Sequence, residues 1–127
     1  MSSRTNTCIA GIGESRYAKW GGIADQSELS LACDAILAAA SNAGIAPAEI
    51  DGFASFSEDR NEPALLMNAL GIDELRFTGM VWGGGGGGSC GAVALAEAAI
   101  KSGQANYVIV FRSLCQGQSF RFGQFHP

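Results

Sequence analysis

The sequence predicts a layered α/β fold. Three observations carry this prediction. Short apolar runs bounded by glycine alternate with segments of helical period along the 127 residues. Residues 106–111 (NYVIVF) have the continuous β-branched and aromatic character of a strand covered on both faces. No long linker, low-complexity block or short repeat breaks the alternation. A chain of this length forms one domain, 1–127, and buries roughly two-thirds of its unfolded surface.

Each element has its own signal. Residues 7–13 (TCIAGIG) form a short apolar run that stops at glycine, as a buried strand does. Asp25 and Glu28 fit a D-x-x-E capping box. Behind it Leu29, Ala32, Cys33, Ile36, Leu37 and Ala40 make one helical face, which Asn42, Gly44 and Pro47 terminate. Residues 51–57 (DGFASFS) read as the next strand, reached by a right-handed crossover. Asn61 caps a shorter helix with Pro63 in its first turn. Leu65, Leu66, Ala69 and Leu70 supply that helix's buried face, and Gly71 ends it. Residues 75–82 follow as a strand and lead into the glycines at 83–88. A third helix starts near Ser89, with Ala92, Val93, Ala96, Ala99 and Ile100 inward and Gly103 as its stop. From Arg112 the pattern loses its period, and three phenylalanines in the tail are expected to pack on another part of the protein or on a second chain.

Composition excludes several function classes. Hydrophobic residues at 47% and charged residues at 16% argue against disorder. The net charge is −4 and the eight basic residues are scattered, so nucleic acid is not an expected partner. No apolar run approaches the ~20 residues of a membrane span, and no signal peptide is evident, so a soluble, cytoplasmic protein is expected. Cys8, Cys33, Cys90 and Cys115 form no C-x-x-C pair and His126 is the single histidine, which disfavours a metal site. Two of the cysteines read as small core residues in a reducing compartment.

Six consecutive glycines between a strand and a helix N-terminus are the most unusual feature. Helix N-termini present unpaired N–H groups to negative charge, and bare backbone admits a ligand closely. A phosphate cradle and an oxyanion hole both fit. A P-loop does not, because Ser89-Cys90-Gly91 follows where Lys and Ser/Thr belong. A dinucleotide site lacks its acidic residue in the region 106–112. The competing reading is a flexible linker. Against it, each glycine costs about 0.5–1 kcal/mol of ordering relative to Ala. Cys90, in the first helical turn, is either a nucleophile activated by that helix terminus or a small buried residue.

The order of motifs resembles a known family. Ile9-Ala10-Gly11-Ile12-Gly13-Glu14, Asn42-Ala43-Gly44 and Ile50-Asp51-Gly52-Phe53 resemble the opening of the thiolase superfamily. Ala92-Val93-Ala94-Leu95-Ala96, continuing to Ala99-Ile100-Lys101-Ser102-Gly103-Gln104-Ala105, resembles its active-site helix. Asp59-Arg60-Asn61, Gly71-Ile72-Asp73-Glu74-Leu75, the glycine tract and Phe111-Arg112-Ser113 point to the lipid-transfer-protein-like (sterol carrier protein x-type) branch. That branch includes bacterial steroid side-chain aldolases.

The resemblance implies an α/β, thiolase-like layered αβα N-terminal half-domain with a mixed, mainly parallel sheet, and with the loop domain and C-terminal half expected outside this chain. Thiolases carry a nucleophilic cysteine at the start of this helix. Registering on Ile100 and Gly103 puts that position at Gly86. Cys90 lies downstream without the family's following Ser-Gly pattern. Acyl transfer is thereby disfavoured and retro-aldol cleavage of a β-hydroxyacyl-CoA favoured, with Gly85, Gly86, Gly87, Gly88 and Ser89 lining an oxyanion pocket. The alternatives are an acetyl-CoA acetyltransferase using Cys90 and a non-catalytic thiolase-like scaffold. Coenzyme A is expected only as part of the substrate, with no separate cofactor. The implied partners are a second copy of the chain, an OB-fold acyl-CoA-binding protein and the rest of the thiolase-like fold.

Overall fold

A computed structural model describes residues 6–19, 22–83 and 85–115. Helix α1 (Glu28–Ala43), strand β1 (Gly52–Phe56), helix α2 (Pro63–Leu70), strand β2 (Phe77–Val81), helix α3 (Gly88–Lys101) and strand β3 (Val108–Phe111) follow in chain order. The strands form one sheet in the order β2-β1-β3, and both pairings are parallel. Among the described residues the sheet is therefore wholly parallel; the antiparallel member of a mixed sheet is not among them.

Alternation along β1 assigns the layers. Phe53 packs with Ile36, Ala40, Leu66 and Leu70 on the α1/α2 face. Ala54 packs with Ala92 and Ala96 of α3 on the other. The result is the layered αβα arrangement expected. Val93, assigned inward from the sequence, is 43% exposed. It lies on the flank of α3, beside the narrow stripe of alanines that touches the sheet. Leu65 likewise faces outward, and the buried face of α2 rests on Leu66 and Leu70.

Helix α1 opens on Ser27 rather than Asp25. The Ser30 N–H donates to Ser27 Oγ at 3.0 Å and the Ser27 N–H donates to Ser30 Oγ at 2.9 Å, a reciprocal box built from two serines. At α2 the cap position is Glu62, and Asn61 turns back instead to Asp59. Gly44 and Gly71 end their helices in the left-handed region, as the sequence predicts.

Residues 7–13 are the clear departure: they form no strand. A Cβ on Gly13 would lie 2.3 Å from the Ala39 nitrogen, and one on Gly11 2.6 Å from the Ala39 carbonyl oxygen. Bare backbone therefore presses directly onto α1, and the Ile12 N–H donates to Asn42 Oδ1 at 3.0 Å. The glycines that the pattern reads as strand ends serve a close approach to a helix. Ile9 and Ile12 face outward.

Candidate functional site

The carboxyl ends of the strands carry the site. Strand β1 ends in Ser57 and Glu58, with φ of 29° and 64°, two consecutive non-glycine residues in the left-handed region. Such backbone persists only where neighbours enforce it, and it concentrates at functional sites. Here the Ser57 N–H donates to the Val81 carbonyl at 3.2 Å. Its hydroxyl donates to the carbonyl of Gly83.

Asp59 ties this turn to β3. Its carboxylate accepts from the Asn61 N–H at 3.0 Å and from the Ser113 N–H at 2.9 Å. Ser113 Oγ donates in turn to the Glu28 carbonyl at 2.7 Å, and Glu28 pairs with Arg60 at 2.7 Å. The exits of β1 and β3 are thus fixed to the start of α1. Arg112 holds its guanidinium 5.3 Å from the Phe56 ring centre, which brings one cation to this end of the sheet.

The glycine tract crosses from β2 to α3 here. Gly85–Gly87 form a single 3-10 turn, and α3 begins at Gly88. No side-chain hydrogen bond caps α3, which follows directly on the 3-10 turn. Ser89 Oγ donates to the Gly86 carbonyl at 3.0 Å. Gly88 is buried, whereas Gly86 and Gly87 are exposed and a Cβ on either would meet nothing within 4 Å. The wound turn at Gly85–Gly87 is not the extended form of a plain linker. Gly85, Gly86, Gly87, Gly88 and Ser89 lie together at the N-terminus of α3.

Cys90 is exposed on the first turn of α3, contrary to the reading of it as a buried residue. Among the described residues no histidine accompanies it; His126 lies outside them, as do the tail phenylalanines. Cys33 packs on the core from α1, and burial together with neighbouring Asp34 raises its pKa. Among the described residues no cluster of three or more His, Cys, Asp or Glu could hold a metal ion, and no helix is long and apolar enough to cross a membrane.

A concavity of about 200 Å³ opens on the α1/α2 face at the same end of the sheet. Phe53 and Phe111 line it, meeting edge to face at 5.8 Å, with Ser55, Asp59, Asn61 and Thr78 as its polar wall. Sequence reasoning did not find this cavity, nor the roles of Ser57 and Asp59. Ser57 was read as the end of a strand, and Asp59 only as part of the motif Asp59-Arg60-Asn61.

No family model matches the chain. A solved Ltp2–ChsH2(DUF35) aldolase matches with a TM-score of 0.74 at 39% identity, over 84% of this chain and 27% of that one. The fold is thiolase-like. At 19% identity, a priming β-ketosynthase of the R1128 polyketide pathway shares this thiolase-like fold with a TM-score of 0.62, over 80% of this chain and 40% of that one. At 22%, the 3-oxoacyl-[acyl-carrier-protein] synthase III of Aquifex aeolicus shares it with a TM-score of 0.57, over 76% and 30%. By sequence, the chain is 39% identical over 115 residues to a steroid side-chain-cleaving aldolase of Thermomonospora curvata. It is 37% identical over 116 residues to a 17-hydroxy-3-oxo-4-pregnene-20-carboxyl-CoA lyase of Mycobacterium tuberculosis. Each match covers 91% of this chain but only 28% and 29% of the relatives, so the thiolase-like segment spans little more than a quarter of their length.

Proposed function

We propose that this chain is the N-terminal part of a thiolase-fold carbon–carbon lyase that cleaves a β-hydroxyacyl-CoA of the steroid side-chain or similar lipid class. The observation that carries the reading is the bare, open backbone at Gly86, where the thiolase resemblance expects a nucleophile. Similarity to two proteins named as aldolase and lyase supports it. Retro-aldol cleavage needs no covalent acyl-enzyme. A base takes the proton of the β-hydroxyl, the new carbonyl forms, and the α–β bond breaks. Its electron pair passes to the thioester as an enolate, which is then protonated at carbon. The N–H groups around Gly85 to Ser89 would hold the enolate oxygen, where preorganised donors contribute most. Coenzyme A enters as part of the substrate. The base belongs to the remainder of the fold.

The reading extends to partners. Among the described residues strand β2 pairs only with β1, its residues carry no charge, and Met80 within it and Trp82 just after it are exposed. An uncharged, unpaired edge of this kind suits pairing with a second copy of the chain. The similar aldolase is named as Ltp2–ChsH2(DUF35), which supports a second polypeptide in the assembly; an OB-fold acyl-CoA-binding protein is the partner that the family resemblance implies. The cytoplasm is the compartment that fits such an assembly.

The test combines the chain with the polypeptide that completes its fold and follows a β-hydroxyacyl-CoA by mass spectrometry. Appearance of a ketone or aldehyde together with a shortened acyl-CoA supports the lyase. Acyl exchange that is lost with Cys90→Ala points to an acyltransferase. Assembly without either reaction points to a scaffold.

A further inference from the structure

Both ends of the glycine tract rest on one residue. The Ser57 hydroxyl donates to the carbonyl of Gly83, where the tract begins. At the other end, a Cβ on Gly88 would lie 3.1 Å from Ser57 Oγ and 3.1 Å from Phe56 Cβ, so α3 starts in direct contact with the same side chain. The Ser57 N–H extends the β1–β2 ladder by one bond to Val81. Between the two anchored ends, Gly86 and Gly87 stand open. Ser57 makes these contacts from a φ of 29°, a conformation that a side chain disfavours.

We propose that Ser57 is a positioning residue that sets the aperture of the glycine tract, so that the N–H groups of residues 85–89 converge on one oxygen. It exchanges no proton with substrate; it fixes the loop that meets the substrate. The kinetic consequence rests on the lyase reading above, while the structural consequence stands on this geometry alone.

Two substitutions in the complete enzyme pull stability and activity apart. Ser57→Gly relieves the positive φ and removes the hydroxyl. Ser57→Thr keeps the hydroxyl and adds a β-branch where backbone already disfavours one. Ser57→Gly should hold Tm near wild type and lower kcat by roughly tenfold to a hundredfold with KM little changed, the scale of a misplaced catalytic group. Ser57→Thr should lower Tm while keeping kcat close to the wild-type value. Hydrogen exchange across residues 85–90 should quicken in Ser57→Gly alone. A merely structural residue would make activity track Tm in both variants. Wild-type turnover or unchanged exchange in Ser57→Gly overturns the proposal. Should the wild-type enzyme show no lyase activity, the lyase reading fails on its own, and the exchange measurement alone then decides the role of Ser57.

Discussion

The Asp51 carboxylate accepts the backbone N–H of Tyr107 at 2.8 Å, joining residues 56 positions apart. It also takes the Asn106 N–H at 2.9 Å, while its own carbonyl accepts from Arg76 and Phe77 at 2.8 and 3.2 Å. One buried residue thus ties the amino ends of all three strands. Asp51→Ala should cost about 1–3 kcal/mol, because the N–H donors of Asn106 and Tyr107 lose a charged acceptor. Denaturant unfolding measures this, and a loss below ~0.5 kcal/mol would mean that water replaces the carboxylate.

Gly86 and Gly88 should separate function from fold. A side chain at 86 meets open space, whereas one at 88 meets Phe56 and Ser57 at 3.1 Å. Gly86→Val should leave Tm near wild type and abolish most cleavage in the complete enzyme. Gly88→Ala should lower both, with a stability loss of about 1–3 kcal/mol from overpacking. Equal activity in wild type and Gly86→Val would remove the tract from the site.

Adjacent leucines in α2 should differ sharply. Leu66 is fully buried and Leu65 is 53% exposed. Leu66→Ala should cost about 2–5 kcal/mol and Leu65→Ala less than ~1. Paired denaturation curves check the contrast, and a reversal would rotate α2 by one residue.

Thiol labelling should follow exposure and pH. Cys8 and Cys90 are exposed. Burial raises the pKa of both Cys33 and Cys115, reinforced by Asp34 beside the first and Glu28 beside the second. A raised thiol pKa leaves less thiolate at a given pH, so Cys33 and Cys115 should label slowly at neutral pH and accelerate only as pH rises. Peptide mapping after iodoacetamide pulses at stepped pH reads this directly. Equal rates at all four sites would contradict the packing.

Cys90 has its own test. If cleavage is non-covalent, Cys90→Ala should retain turnover in the complete enzyme, and no acyl adduct should appear on this residue by intact mass. Loss of turnover with an adduct in the wild type would favour the transferase.

The element order from α1 onward, the helix stops at Gly44, Gly71 and Gly103, and the absence of cysteine at position 86 were all legible in the sequence, because local periodicity and single-residue backbone preferences encode them. Three features were decided only by tertiary structure. Residues 7–13 read as a strand, yet they lie on α1, since a bare glycine Cα serves a helix contact as well as a strand end. The left-handed turn at Ser57 and Glu58 carries no glycine to announce it and exists because Val81 and Gly83 hold it. The bond from Asp51 to Tyr107 depends on which strands become neighbours, and spacing along a chain carries no record of that.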